Sequence, residues 1–377
     1  MQEPADQQPE TEDQPKGAAR PTGPVKTTQP MRRITLGKRL EDTNRHPVLI
    51  FGTAAAGKSS LILSLINALG NAEEVNVVFA DNEPIFDDSY GDFQKQRHAI
   101  ARQFYDWGIH RWTAGQPPLP NIGERFFIPV DIQPRNSLLP PVKFAILDGR
   151  GEDYGPNTQL DAEQGMVGDI RRPLGEEIKQ LLQEFSHEIT VIYVAPFSQH
   201  GAASEDTIDG NTGLRHVIQE YSAARVQDLR ANDSHLFLFT KWDEHAHPLM
   251  KRDLFAEPTS IDVAKQLRIR YESAWGQFCG LPVGGPARDR RVFMQYSAGY
   301  FVNERLHPPP DLVEETFRRY PRTIANWLYS RAARSSLRRR QLNADLPQDI
   351  FEDVRLEHAT KSLADRLIDL ILGNSPQ

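Results

Sequence analysis

Residues 48–60 read Val-Leu-Ile-Phe-Gly-Thr-Ala-Ala-Ala-Gly-Lys-Ser-Ser, a short apolar run that breaks into G-x-x-x-x-G-K-S. A buried strand (Val48–Phe51) passes through a glycine loop into an amphipathic segment, Ser59–Leu69, with helical periodicity. That succession commits the chain to a layered α/β fold, because strand and helix must bury their apolar faces against one another. Gly52, Gly57, Lys58 and Ser59 fill the four constrained places of a phosphate-binding (Walker A) loop. Glycines let the backbone curve round an anion, successive N–H groups point inward, and the helix begins with its positive end at the phosphate. Lys58 would reach the β- and γ-phosphates, and the Ser59 hydroxyl would ligate Mg²⁺. Ala55, Ala56 and Ser60 complete the nucleotide-binding stretch. The loop predicts a bound nucleoside triphosphate with Mg²⁺ without saying which base.

Apolar β-rich runs and amphipathic runs alternate from His46 onward. Strands are expected at Val48–Phe51, Val75–Ala80, Arg125–Ile132, Val142–Leu147, Ile189–Ala195, His235–Thr240 and Arg291–Tyr296. Helices are expected at Ser59–Leu69, Gly91–Trp107, Pro173–Glu184, Gly213–Leu229 and Ile261–Phe278. This order predicts a three-layer α/β fold with a mostly parallel sheet and right-handed crossovers. Ligands of such sheets sit at the carboxyl ends of the strands.

Residues 1–36 are rich in Pro, Gln, Glu, Asp and Thr without apolar periodicity, and read as a disordered tail. Residues 37–305 form the nucleotide-binding domain, with an insertion at about 71–122, and 306–377 a helical C-terminal extension. In that extension Pro308-Pro309-Pro310 and an Asp311/Glu314 capping box precede the helices. Leu312, Phe317, Ile324, Trp327 and Leu328 mark apolar positions, with a break or kink at Pro321. Val354, Leu363, Leu367 and Leu370 form a later apolar face, expected to pack against the core. The arginines at 331, 334 and 338–340 read as a solvated helix surface. The net charge of −7 argues against wrapping nucleic acid. The single cysteine, Cys279, excludes a disulfide framework and a cysteine metal site. No apolar stretch is long enough for a membrane span and no signal peptide is evident, so a cytoplasmic location is expected.

Three further motifs follow predicted strands. Val142–Leu147 runs into Asp148-Gly149-Arg150-Gly151-Glu152. A carboxylate at a strand tip beside the phosphate loop holds Mg²⁺, usually through water, and Gly151 lets a backbone N–H approach the γ-phosphate. After His235–Thr240 comes Thr240-Lys241-Trp242-Asp243, and after Arg291–Tyr296 comes Ser297-Ala298-Gly299. With these motifs in this order, residues 46–300 resemble the translation-factor-related (TRAFAC) class of P-loop GTPases. The resemblance implies that Asp243 accepts hydrogen bonds from guanine, that the Lys241 stem lies along the base, and that Ser297 and the Ala298 N–H meet guanine O6. It also implies a Mg²⁺-dependent GTPase cycling between GTP and GDP as a switch for a protein partner.

The pattern departs from the class in two places. The interval from Lys58 to Asp148 is long, and Thr113 is the best candidate for the threonine that completes the Mg²⁺ shell; an ordinary loop threonine is the alternative. Glu152 stands where many members place a water-orienting glutamine, so the catalytic set reads Lys58, Gly151 and Glu152. Arg150 would either stabilise the transition state or pair with a neighbouring carboxylate. The Asp-x-x-Gly-Glu form and the added helices resemble the bacterial double-GTPase group. A non-hydrolysing nucleotide-binding scaffold and an ATP-using P-loop ATPase or kinase are the competing readings. His245 and His247 read as an ordinary polar loop, and Cys279, at an expected helix end before Gly280, has no partner that would mark it as a nucleophile.

Overall fold

In the computed structural model the described residues are 35–53, 55–82, 85, 92–118, 125–149, 174–197, 205–241, 260–282, 290–298, 300–302, 305–307, 314–339 and 350–351. They belong to one compact unit, Ile34–Gln377. The strands are β1 (Arg45–Phe51), β2 (Val75–Phe79), β3 (Phe126–Pro134), β4 (Val142–Asp148), β5 (Thr190–Pro196), β6 (Ser234–Thr240), β7 (Arg291–Gln295), β8 (Tyr300–Val302) and β9 (Arg305–His307). The helices are α1 (Leu36–Asp42), α2 (Lys58–Gly70), α3 (Asp92–Thr113), α4 (Gly175–Glu184), α5 (Glu205–Ala224), α6 (Gln227–Arg230), α7 (Ser260–Arg270), α8 (Glu272–Cys279) and α9 (Glu314–Arg339).

All seven expected strands join one sheet, in the order β2-β3-β4-β1-β5-β6-β7. β4, β1, β5, β6 and β7 are parallel, with register pairs Val48↔Ile146 and Val48↔Thr190 fixing the centre. β3 runs antiparallel to both β2 and β4. The reversal between β3 and β4 needs only a tight connection. Asn136 Oδ1 accepts from the Leu138 amide at 3.0 Å, and Pro140-Pro141 ends the turn.

Alternate residues of each central strand feed two cores. Leu49, Phe51, Tyr193, Phe237 and Phe239 face one side, where Leu40 of α1, Ile178 of α4, Val217 of α5, Leu267 of α7 and Trp275 of α8 cover them. Val48, Ile50, Ile192, Val194 and Leu238 face the other, against Leu61 of α2, Ala101 of α3 and Trp327 of α9. The sheet is therefore covered by helices on both faces, which explains its almost uninterrupted apolar strands.

Element ends differ from expectation for identifiable reasons. β1 starts at Arg45, earlier than its apolar run, because the buried Arg45 pairs with Asp131 at 2.7 Å and bonds the Phe144 carbonyl at 3.1 Å. His46 Nε2 meets Thr190 Oγ1 at 2.8 Å. α1 begins at Leu36, where a tail was expected to end. Thr35 caps it, accepting from the Lys38 amide at 3.4 Å, and Leu36 and Leu40 are buried. The expected helices 213–229 and 261–278 each divide, the second at Tyr271 with φ −121° and ψ 40°. α9 continues through Pro321 without a break.

Ile324, Trp327, Leu328, Tyr329, Ala332 and Ala333 of α9 are core residues. Asn326 accepts from the amides of Ile350 (2.6 Å) and Phe351 (3.3 Å) and donates to the Phe351 carbonyl at 3.3 Å. Arg331 is 6 % exposed, so that part of the arginine run is interior and not the solvated face expected of it. Residues 312, 354, 363, 367 and 370 lie outside the described residues. Among the described residues no helix is long and apolar enough to cross a membrane.

Candidate functional site

β1 is the strand at which the sheet order reverses: β4, β3 and β2 extend to one side, β5, β6 and β7 to the other. The crevice at the carboxyl end of such a strand is where ligands of open α/β sheets bind. The glycine loop leaves β1 at this point. Gly52 passes so close to β5 that a Cβ there would lie 2.7 Å from the Val194 carbonyl oxygen. Gly57 adopts φ 93° and ψ 18° as the residue before α2, a left-handed conformation that glycine takes without steric cost. Ala55 also has positive φ, 55°. The loop thus curls back into the first turn of α2, whose leading amide groups have no side-chain cap.

Four hydrogen bonds hold this curl. The Lys58 ammonium, 6 % exposed, donates to the carbonyls of Gly52 and Thr53, both at 2.8 Å, which fixes it inside the turn. The Ala56 amide donates to the Thr53 carbonyl at 3.3 Å. The Thr240 hydroxyl, from the end of β6, donates to the Ala56 carbonyl at 2.7 Å. Thr240 was part of a sequence motif but not a candidate site residue. The structure gives it the task of tying the end of β6 to the glycine loop. The next residue, Lys241, takes φ 56°, an uncommon conformation for a side-chain-bearing residue and a frequent mark of functional turns.

Asp148 ends β4 beside β1 and is fully buried. Ser59 Oγ, in the first turn of α2, donates to its Oδ2 at 3.3 Å. Residues far apart in sequence thereby place a hydroxyl and a carboxylate side by side at the mouth of the loop. Ala56 is buried, and Ser60 lies next to Ser59 in α2.

Of the other sequence candidates, the structure describes Thr113, Ser297 and Ala298. Thr113 does not join Ser59 and Asp148. Expected in a loop beyond a helix ending at Trp107, it is the last residue of α3, which runs to Thr113. Its hydroxyl donates to the Ile109 carbonyl at 2.8 Å, and at 3.5 Å to Asn67 near the far end of α2. Asn67 lies about 12 Å along the helix axis from Ser59. Ser297 and Ala298 follow β7 and, with Ser64, Asn67, Trp112 and Arg322, line a cavity of about 880 Å³ along the flank of α2. Tyr296 OH and Ser64 Oγ meet there at 2.5 Å. Arg150, Gly151, Glu152, Asp243, His245 and His247 lie outside the described residues. Burial pushes the Cys279 thiol up to about 11, which keeps it protonated and unreactive at neutral pH, as the sequence suggested. Among the described residues no group of three or more His, Cys, Asp or Glu side chains gathers as a metal cluster. Compared with family models and with curated proteins, the chain matches none at a significant level.

Proposed function

We propose that the chain is a GTP-binding protein of the TRAFAC P-loop class, similar to the bacterial double-GTPase group. In this reading it is a slow Mg²⁺-dependent GTPase whose nucleotide state governs binding to a protein partner. The observation that carries the reading is the 3.3 Å contact between Ser59 Oγ and Asp148 Oδ2 at the start of α2. A helix N-terminus preceded by a left-handed glycine favours an anion, and the hydroxyl and carboxylate beside it favour a hard cation. A Mg²⁺–triphosphate offers both at once.

The donor chemistry fits Mg²⁺, which takes one or two protein oxygens and keeps waters and phosphate oxygens for the rest. Ser59 and Asp148 would hold it, and the bound ion would neutralise charge developing on the phosphates. Lys58 would shift its donors from the Gly52 and Thr53 carbonyls to phosphate oxygens, which are stronger acceptors because they are charged. The amides of the loop and of the first turn of α2 would cradle the β-phosphate. Guanine specificity is assigned to Asp243 and Lys241, and the left-handed Lys241 supports a shaped turn at that position. Hydrolysis is assigned to the Gly151–Glu152 segment.

Titration of the purified chain with GTP and ATP, each with Mg²⁺ and with EDTA, tests the reading. Tighter binding of GTP than ATP, strengthened by Mg²⁺ and lost in Asp243→Ala, is the expected result. Equal binding of both nucleotides, unaffected by that substitution, overturns the guanine assignment in favour of an ATP-using protein. GTP binding without phosphate release in a single-turnover assay makes the chain a non-hydrolysing scaffold.

A further inference from the structure

The start of α4 is held by two arginines from the long interval between Lys58 and Asp148. Arg125 directly precedes β3, and its guanidinium donates to the main-chain carbonyl of Leu174, the residue that leads into α4. The next residue, Phe126, is the register partner of Asp148. One corner of β3 therefore meets the chain where it leaves the sheet at Asp148 and again where it enters α4 at Leu174. Leu174 is fully buried, and its amide donates to Glu220 Oε2 of α5 at 3.2 Å. Lys179 Nζ lies 3.4 Å from the same carboxylate oxygen. A second tie comes from α3, where Arg97 Nη1 reaches both oxygens of Glu177, at 3.0 and 2.8 Å, in the first turn of α4. α3 packs in the layer of α2 and α4 in the opposite layer, so this ion pair links the two helical layers.

We propose that Arg125 is a positioning residue of the nucleotide site. By binding the Leu174 carbonyl from a position next to Phe126, the register partner of Asp148, it ties the start of α4 to the end of β4 and so holds Asp148 in place. The Arg97–Glu177 pair is the companion tie, and it couples the inserted helix α3 to the same joint. The consequence for nucleotide rests on Asp148 serving Mg²⁺, as proposed above. The mechanical claim does not.

Amide hydrogen exchange on the nucleotide-free full chain tests the mechanical claim, using wild type, Arg125→Ala, Arg125→Lys and Glu177→Gln. Arg125→Ala is expected to exchange about tenfold faster at the end of β4 and the first turn of α4, with β6 and α8 unchanged. Arg125→Lys keeps one charged donor for the Leu174 carbonyl and is expected to recover most of the protection, while Glu177→Gln gives a smaller effect at α4. Exchange equal to wild type overturns the proposal, and so does acceleration spread over the whole sheet, which marks a general fold anchor. The second arm measures GTP and GDP affinity with Mg²⁺. Loss of at least about fivefold in the GTP/GDP affinity ratio, with GDP affinity nearly unchanged, is expected of Arg125→Ala. An unchanged ratio overturns the link to the site. A wild type that binds neither nucleotide overturns the GTP reading instead, and the exchange arm then judges the Arg125 tie by itself.

Discussion

Ser59 and Asp148 lie on different elements, α2 and β4, and meet with Oγ and Oδ2 3.3 Å apart. The first sits at the positive end of a helix and the second is a buried carboxylate at the tip of a parallel strand. In the proposed reading, this pairing would let the glycine loop take its phosphates together with Mg²⁺.

Removing either partner separates metal binding from phosphate binding. Asp148→Asn keeps the shape and removes the charge. It is expected to weaken Mg²⁺·GTP binding at least about tenfold, or about 1.4 kcal/mol, while affinity measured in EDTA stays close to wild type. Isothermal titration with and without Mg²⁺ reads the difference, and equal losses under both conditions would refute the metal role. Ser59→Ala should follow the same pattern with a smaller loss.

The two loop glycines are expected to fail in different ways. A Cβ at Gly52 meets the backbone oxygen of Val194 at 2.7 Å, and neither the loop nor β5 can move without breaking the sheet. Gly52→Ala should cost roughly 2–4 kcal/mol of stability by chemical denaturation, as overpacking in an unyielding site does. At Gly57 no atom of the described residues lies within 4 Å of the added Cβ, and among them only the positive φ opposes it. Gly57→Ala should cost about 1–2 kcal/mol and reduce nucleotide affinity more than stability.

At the amino end of the sheet, Arg225 and Asp233 form a fully buried ion pair with Nε–Oδ2 at 2.7 Å. Asp233 also accepts from Tyr221 OH at 2.5 Å and from the Ile189 amide at 2.9 Å. Arg225 additionally donates to the carbonyls of Leu182, Phe185 and His187. Arg225→Leu strands a buried carboxylate and should cost about 3–5 kcal/mol. The double variant Arg225→Leu/Asp233→Asn should recover part of that loss. Because the pair sits at the end of the sheet opposite the glycine loop, GTP affinity of the folded fraction should be unchanged.

Acid sensitivity should have a contribution from His235. It is fully buried, stacked on Tyr193 and edge-on to Tyr221, and its Nε2 has no hydrogen-bond partner among the described residues. Burial first, then the charges of Arg291 and Arg225, pull its pKa down from 6.5 to about 3. The unfolded chain takes up this proton near pH 6.5 while the folded chain refuses it. The stabilisation is therefore complete above that value and falls as pH drops from 6.5 toward 3. The slope from this one group approaches about 1.4 kcal/mol per pH unit. Denaturation midpoints of wild type and His235→Phe across pH 7 to 4 should converge as pH falls, and parallel curves would remove His235 from the account.

Several features were legible in sequence because their causes are local. The apolar run at 48–51, the glycines at 52 and 57 and the helical period after Ser59 depend on neighbours only a few residues away. All seven strands of the large sheet were found for the same reason. Their ends were misjudged where polar residues are buried by distant partners, as Arg45 is by Asp131 and the Phe144 carbonyl. Thr113 was misplaced because nothing in its immediate sequence stops α3 at Trp107. Packing of α3 on α2 and β3 carries the helix to Thr113 and points its hydroxyl back to Ile109.

The sequence by itself determined that a glycine loop joins a buried strand to a helix, because backbone freedom and hydrophobic period are properties of adjacent residues. Only the tertiary structure decided that β4 lies against β1, that Asp148 meets Ser59, that Thr240 grips the loop at Ala56, and that Arg125 closes on Leu174. Those contacts join segments far apart in the chain. They follow from how the whole sheet buries its two faces, which no local pattern encodes.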